Sequence, residues 1–116
     1  MEAQKKSLFE RWIILEGELV ERFGKKPNME AILFLIGMNE FQGRIPKIKF
    51  SKEQKQDLMH VAVCHLLSKG GHYTLEGYDD EGWPHYRKVK EVETDDNLAA
   101  QEILLKEYIL EYFDIE

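Results

Sequence analysis

The stretch Gly70 to Arg87, GGHYTLEGYDDEGWPHYR, decides whether this chain is all helix or helix with a sheet. His72 to Tyr78 and Trp83 to Val89 are rich in aromatic and β-compatible residues, and Asp79-Asp80-Glu81-Gly82 separates them. Aspartate at the first turn position and glycine at the last fit a type I turn closed by a left-handed residue, so the spacing predicts a β-hairpin. Three carboxylates beside a glycine invite a calcium reading, which fails on spacing. Aligning Gly82 with the glycine of a calcium loop puts Gly77 at the first ligand position and Lys88 at the twelfth, where oxygen donors are required.

Two registers are open. A bulge at Gly82 pairs Asp79 with Trp83 and sets Gly77 opposite His85 and Leu75 opposite Arg87; an even-numbered loop sets Tyr78 opposite Trp83 and Glu76 opposite His85. In both, Trp83, His85 and Arg87 share one face of the second strand, while Pro84, with no N–H, marks an edge or irregular strand. An indole platform, an imidazole and a bidentate cation, flanked by Tyr78, make a candidate ligand or peptide surface. The bland alternative is that Trp83 and Tyr86 plug the hairpin onto the helices, since an isolated hairpin is marginal in water.

Outward from this segment the period changes to that of helices. Leu8, Phe9, Trp12, Leu15, Leu19, Val20 and Phe23 recur at helical spacing over about 6–23, and Gly24 ends the run with Lys25 and Lys26 near the negative end of the dipole. Asn28 caps a second helix to about Phe41, and its AILFLIGM core is apolar all round, so it belongs in the centre. Gln42 to Phe50 reads as a connection, extended at Ile45 to Phe50 with Ile48 and Phe50 alternating. Ser51 and Gln54 form a capping box for a third helix to about Lys69, which Gly70-Gly71 terminates. Thr94, Asp95, Asp96 and Asn97 offer N-caps for a last helix from Leu98 to about Phe113, whose apolar residues cover more than one stripe. It either packs centrally or shares a face with another copy, which makes a homodimer through the last helix a candidate assembly.

With 116 residues the chain suits one domain, 1–116, burying roughly two-thirds of its unfolded surface without staples. A 43% hydrophobic and 33% charged composition excludes a disordered tail. The net charge of -6 argues against nucleic acid; Lys47, Lys49, Lys52 and Lys55 cluster but read as a solvated lysine-rich turn. The segment MEAQKKSLFERW has no secretory apolar region, no run reaches the ~20 residues of a bilayer span, and one cysteine, Cys64, favours a reducing compartment. The expected setting is therefore cytoplasmic, without membrane.

Chemistry-bearing groups elsewhere are sparse. Asp57, His60 and Cys64 fall on one face of the third helix, but the helix is apolar on most of its circumference, so Cys64 reads as packed and His60 as a boundary residue. Glu16 projects into the apolar face of the first helix and must be paired, protonated or bound; the favoured reading is that it reaches solvent or meets an arginine or histidine. With Glu40, Asp57 and His60 it could contribute to a carboxylate-bridged metal centre, yet such centres use two Glu-x-x-His motifs and this chain has one Asp-x-x-His. Cys64 beside His60 or His65 offers neither an oxyanion hole nor a cleft, and no phosphate loop follows a strand.

IGMNEF (36–41), FSKEQKQDLMHVAVCHLL (50–67) and DEGWPHY (80–86) together resemble a small uncharacterised bacterial family of the Bacteroidetes type. The resemblance covers about the middle half of the chain; it implies bacterial origin and cytoplasmic residence, and no activity, cofactor or partner. The sequence therefore predicts an α+β fold, mostly α, with about four helices in a compact bundle and a hairpin at about 72–90 before the last helix. It also predicts a non-enzymatic binding or interaction module without a cofactor, meeting a protein or small-molecule partner through Tyr78, Trp83, His85 and Arg87. The alternative is a small metal-dependent enzyme using Glu16, Glu40, Asp57 and His60.

Overall fold

Local sequence signals set the element ends, and they do so through backbone caps. The computed structural model describes residues 6–46, 49–94 and 97–116. Within these, helix α1 (Leu8–Phe23) starts where the Ser7 hydroxyl accepts from the Glu10 N–H and stops at Gly24, whose φ of 81° is left-handed. Helix α2 (Met29–Glu40) is capped by the Asn28 side chain. Helix α3 (Lys52–Ser68) carries the full capping box, Ser51 accepting from the Gln54 N–H and Gln54 accepting from the Ser51 N–H. Strands β1 (Tyr73–Tyr78) and β2 (Pro84–Lys88) form the antiparallel hairpin, and α4 (Leu98–Tyr112) follows with Asn97 as its cap. The fold is α+β and mostly α, with the hairpin before the last helix, as its sequence predicts. The expected extension at Ile48, the cluster member Lys47 and the alternative caps Asp95 and Asp96 lie outside the described residues, as does most of the basic start of MEAQKK.

Tertiary contacts divide the chain into two units, 1–27 with 94–116 and 28–93. In the first, α1 packs on α4. Leu15, Leu19, Ile109 and Leu110 are buried, Arg11 Nη2 meets Glu107 Oε1 at 2.8 Å, and Lys106 Nζ lies 5.1 Å from the centre of the Trp12 ring. Helix α4 closes through Asp114 (φ 58°), which lets the Ile115 N–H donate to the Leu110 carbonyl.

In the second unit α2 lies against α3, and the hairpin packs on α3. Ile32 and Ile36 of α2 are buried together with Phe50 and with Leu58, Val61, Ala62, Cys64, Leu66 and Leu67 of α3. A Cβ at Gly37 would overlap the Leu58 carbonyl, so glycine is what lets the two helix backbones approach. Helix α2 thus packs on α3 through Ile32, Ile36 and Gly37, while Leu33, Phe34, Leu35 and Met38 are only half-buried, so it is not enclosed on every side as its apolar circumference predicts.

Candidate functional site

Hairpin register fixes which side chains point where. Across the tip the Asp79 N–H donates to the Trp83 carbonyl and the Gly82 N–H to the Asp79 carbonyl, with Gly82 at φ 91°. This is the three-residue loop with a glycine bulge, and it pairs Tyr78 with Pro84 and Gly77 with His85. A second irregularity then intervenes. Glu76 has no cross-strand partner, so Leu75 faces Tyr86 and Thr74 faces Arg87. The expected pairing of Leu75 with Arg87 is thus displaced by one residue, and Gly77 absorbs the bulge at φ 142°.

Asp79 organises the tip. Its Oδ1 accepts from the N–H groups of Trp83 (2.9 Å) and Glu81 (3.0 Å), and its Oδ2 accepts from His85 Nε2 (3.0 Å). The His85 hydrogen bond first, and the backbone donors after it, hold the Asp79 carboxyl below its ordinary range, so it stays ionised. His85 is thereby committed to Asp79 and Arg87 to Glu76, 3.4 Å away, and both remain exposed.

The tip is clamped to the segment after α2. The Gln42 N–H donates to the Gly82 carbonyl at 2.9 Å. A Cβ on Gly82 would overlap the backbone of Gly43, and one on Gly43 would overlap the Glu81 carbonyl, so two glycines make this close approach. The clamp seats Trp83 on Phe41, ring centres 4.7 Å apart, and continues an aromatic row through Phe41–Phe50 (6.2 Å) to Phe34–Phe50 (5.9 Å). Between clamp and hairpin opens a groove of about 630 Å³, floored by Phe41, Phe50 and Trp83 and edged by Tyr78, Arg44 and the acids Asp79, Asp80 and Glu81.

Of the residues the sequence singles out, Tyr78 and Trp83 therefore come together on the groove, whereas His85 and Arg87 do not line it. Trp83 is both half-buried plug and groove wall, and Tyr86 faces the helices, its Oη 3.3 Å from His65 Nδ1. Phe41, Arg44 and Asp79 are the additions that only the clamp reveals.

The proposed metal ligands are dispersed. Glu16 keeps part of its side chain in solvent, as one of its two expected settings has it, and its partner is Lys26 at 3.6 Å, not an arginine or histidine. Glu40 Oε1 lies 3.4 Å from His65 Nδ1, Asp57 is exposed, and His60 Nε2 contacts Cys64 Sγ at 3.6 Å. Burial raises the Cys64 thiol pKa, which suits a packed thiol. Among the described residues no three His, Cys, Asp or Glu side chains come together to hold a metal ion, and no helix is long and apolar enough to cross a membrane. His65 joins α2, α3 and β2 through Glu40 and Tyr86; burial lowers its pKa, partly offset by the Glu40 charge.

Compared with known proteins, the chain matches no family model, no curated protein and no solved structure.

Proposed function

We propose that this chain is a non-enzymatic binding module whose contact surface is the groove at the hairpin tip, and that it receives a basic side chain from an extended segment of a protein partner. The observation that carries this reading is the pairing of an aromatic floor, Phe41, Phe50 and Trp83, with a rim of three carboxylates against the single guanidinium of Arg44. Aromatic faces attract cations, and anchors of this type dominate binding surfaces. Asp79 is engaged by its own hairpin; Asp80 and Glu81 project from the exposed turn and supply the charge a cationic partner meets. A chain charge of -6 steers the same class of partner at long range. The groove is partly open to solvent, which suits a segment laid across it better than an enclosed small molecule. A buried free thiol, Cys64, accords with residence in a reducing, cytoplasmic setting.

The reading is tested by selecting a random heptapeptide display library on the full chain and counter-screening on Asp80→Asn/Glu81→Gln, two exposed changes that leave the clamp intact. The expected result is enrichment of sequences carrying Lys or Arg next to an aromatic or aliphatic residue, with binding weakened at least tenfold on the variant. No enrichment, or enriched sequences that bind both proteins equally, overturns it.

A further inference from the structure

Ring geometry in the groove at the hairpin tip distinguishes one cationic side chain from another. Phe41 lies against Trp83 with ring centres 4.7 Å apart and planes tilted by 47°, and against Phe50 at 6.2 Å and 74°. The three rings touch one another along a row; they do not face each other across a gap that a cation could fill. Phe50 is buried at the bottom of the row, Phe41 and Trp83 are half-buried, and Tyr78 stands at the edge, 38% exposed. A cation therefore meets ring surface from one side, in a cavity of about 630 Å³ that is partly open to water.

The carboxylates of the rim differ in what they have left to offer. Both oxygens of Asp79 are occupied within the hairpin, Oδ1 by the N–H groups of Trp83 and Glu81 and Oδ2 by His85. Asp80 and Glu81 also line the groove, and among the described residues neither side chain has a hydrogen-bond or ion-pair partner. Their loop is closed by the bonds from the Asp79 N–H to the Trp83 carbonyl and from the Gly82 N–H to the Asp79 carbonyl. Two adjacent, uncommitted carboxylates thus stand on a fixed turn beside partly exposed aromatic faces.

We infer that the side chain this groove selects from its partner is arginine in preference to lysine, methylated or not; the inference rests on the groove being the cation-binding surface proposed above. A guanidinium is planar and weakly hydrated, so it stacks on a single ring face while its N–H groups, which lie in the plane, reach past the ring edge to carboxylates. Asp80 and Glu81 supply the acceptors for that fork, and Phe41 and Trp83 supply the face. An ammonium is a compact, strongly hydrated charge and gains most from a ring once its water is stripped. A groove partly open to water does not strip it. A methylated ammonium is held by aromatic cages, with rings on several sides of the cation. Rings packed against each other, as Phe41 is against Trp83 and Phe50, leave no such enclosure.

Titration of the ¹⁵N-labelled full chain with acetyl-Arg-Arg-Arg-amide, acetyl-Lys-Lys-Lys-amide and the trimethyl-lysine form of the latter tests this, with affinities read from the Trp83 indole N–H. Three peptides of equal charge separate the chemistry of the cation from its electrostatics. The arginine peptide should bind about fivefold or more tightly than the lysine peptide, and trimethylation should bring no gain. Arginine δ protons should show nuclear Overhauser contacts to the ring protons of Trp83 or Phe41. In Asp80→Asn/Glu81→Gln the preference for arginine should shrink to about twofold or less, because the fork has lost its acceptors. Equal affinities for arginine and lysine, tighter binding of the trimethylated peptide, or an arginine preference undiminished in the double variant would each overturn the inference while leaving the groove a cation site. A Trp83 indole that responds to none of the three peptides would overturn both.

Discussion

Replacing Gly82 by alanine perturbs one point on which the candidate site rests, the clamp between the hairpin tip and the segment after α2. Two costs add there. At φ 91° a Cβ is strained by roughly 1–2 kcal/mol whatever the space around it. The new Cβ also overlaps the backbone of Gly43 and the Gln42 carbonyl carbon, which no rotamer change can relieve. Pushing the segments apart sacrifices the Gln42 N–H to Gly82 carbonyl hydrogen bond, a net ~0.5–1.5 kcal/mol, along with part of the Phe41–Trp83 contact. Alanine returns ~0.4–1 kcal/mol by restricting the unfolded chain, so Gly82→Ala should cost about 2–3 kcal/mol. The control lies in the same unit. Gly71 has φ 80°, but the nearest atom to its would-be Cβ is a Lys90 side-chain carbon at 3.8 Å, so Gly71→Ala pays the strain alone, about 1 kcal/mol or less. Urea denaturation followed by far-ultraviolet circular dichroism measures both. Equal costs for the two variants would refute the clamp.

Burial holds the His65 pKa below 6.5, so as pH falls the unfolded chain takes up its proton first; the stability His65 contributes is present above about pH 6.5 and lost on acidification below it. His65→Gln should therefore flatten the fall in stability between pH 6.5 and 5, and an unchanged slope in urea titrations across that range contradicts the assignment. Ser51→Ala removes the side-chain half of the α3 capping box and should cost about 1 kcal/mol by thermal or urea unfolding, while Ser7→Ala, which removes a single cap bond at the start of α1, should cost no more. A double-mutant cycle on Arg11 and Glu107 should give a coupling below about 1 kcal/mol that shrinks in 1 M salt, because both side chains remain partly in water; a coupling of several kcal/mol would refute that reading.

What the sequence discloses and what it withholds separate by distance along the chain. Caps at Asn28 and Ser51 and the turn at Asp79–Gly82 are legible because each is settled by residues within four positions of one another, whereas the start of α4 is narrowed in sequence only to the run 94–97, of which Asn97 makes the cap. The Glu76 bulge is not, since it depends on how β1 and β2 accommodate Gly77 at φ 142°, and nothing in LEGY distinguishes a regular strand from a bulged one. Least legible is the groove. It needs Gly43 and Gly82, 39 residues apart, to touch, and eight glycines in the sequence give no mark of which two do. For the same reason Trp83 can be named from sequence as a platform while its partner Phe41 reads only as the end of a helix. His85 and Arg87 stay exposed on β2, engaged by Asp79 and Glu76, whereas Trp83 precedes the strand and lies with Tyr78 on the groove.

The two tryptophans supply the most direct test of the binding surface, because Trp83 lines the groove and Trp12 lies in the other unit beneath Lys106. Titrating the ¹⁵N-labelled chain with acetyl-Lys-Lys-Lys-amide, and separately with acetyl-Glu-Glu-Glu-amide, reports on each indole N–H independently. The account predicts a saturable shift of the Trp83 indole with the lysine peptide, none with the glutamate peptide, and a stationary Trp12. A Trp83 indole that stays still with the lysine peptide, or moves equally with both, would contradict it.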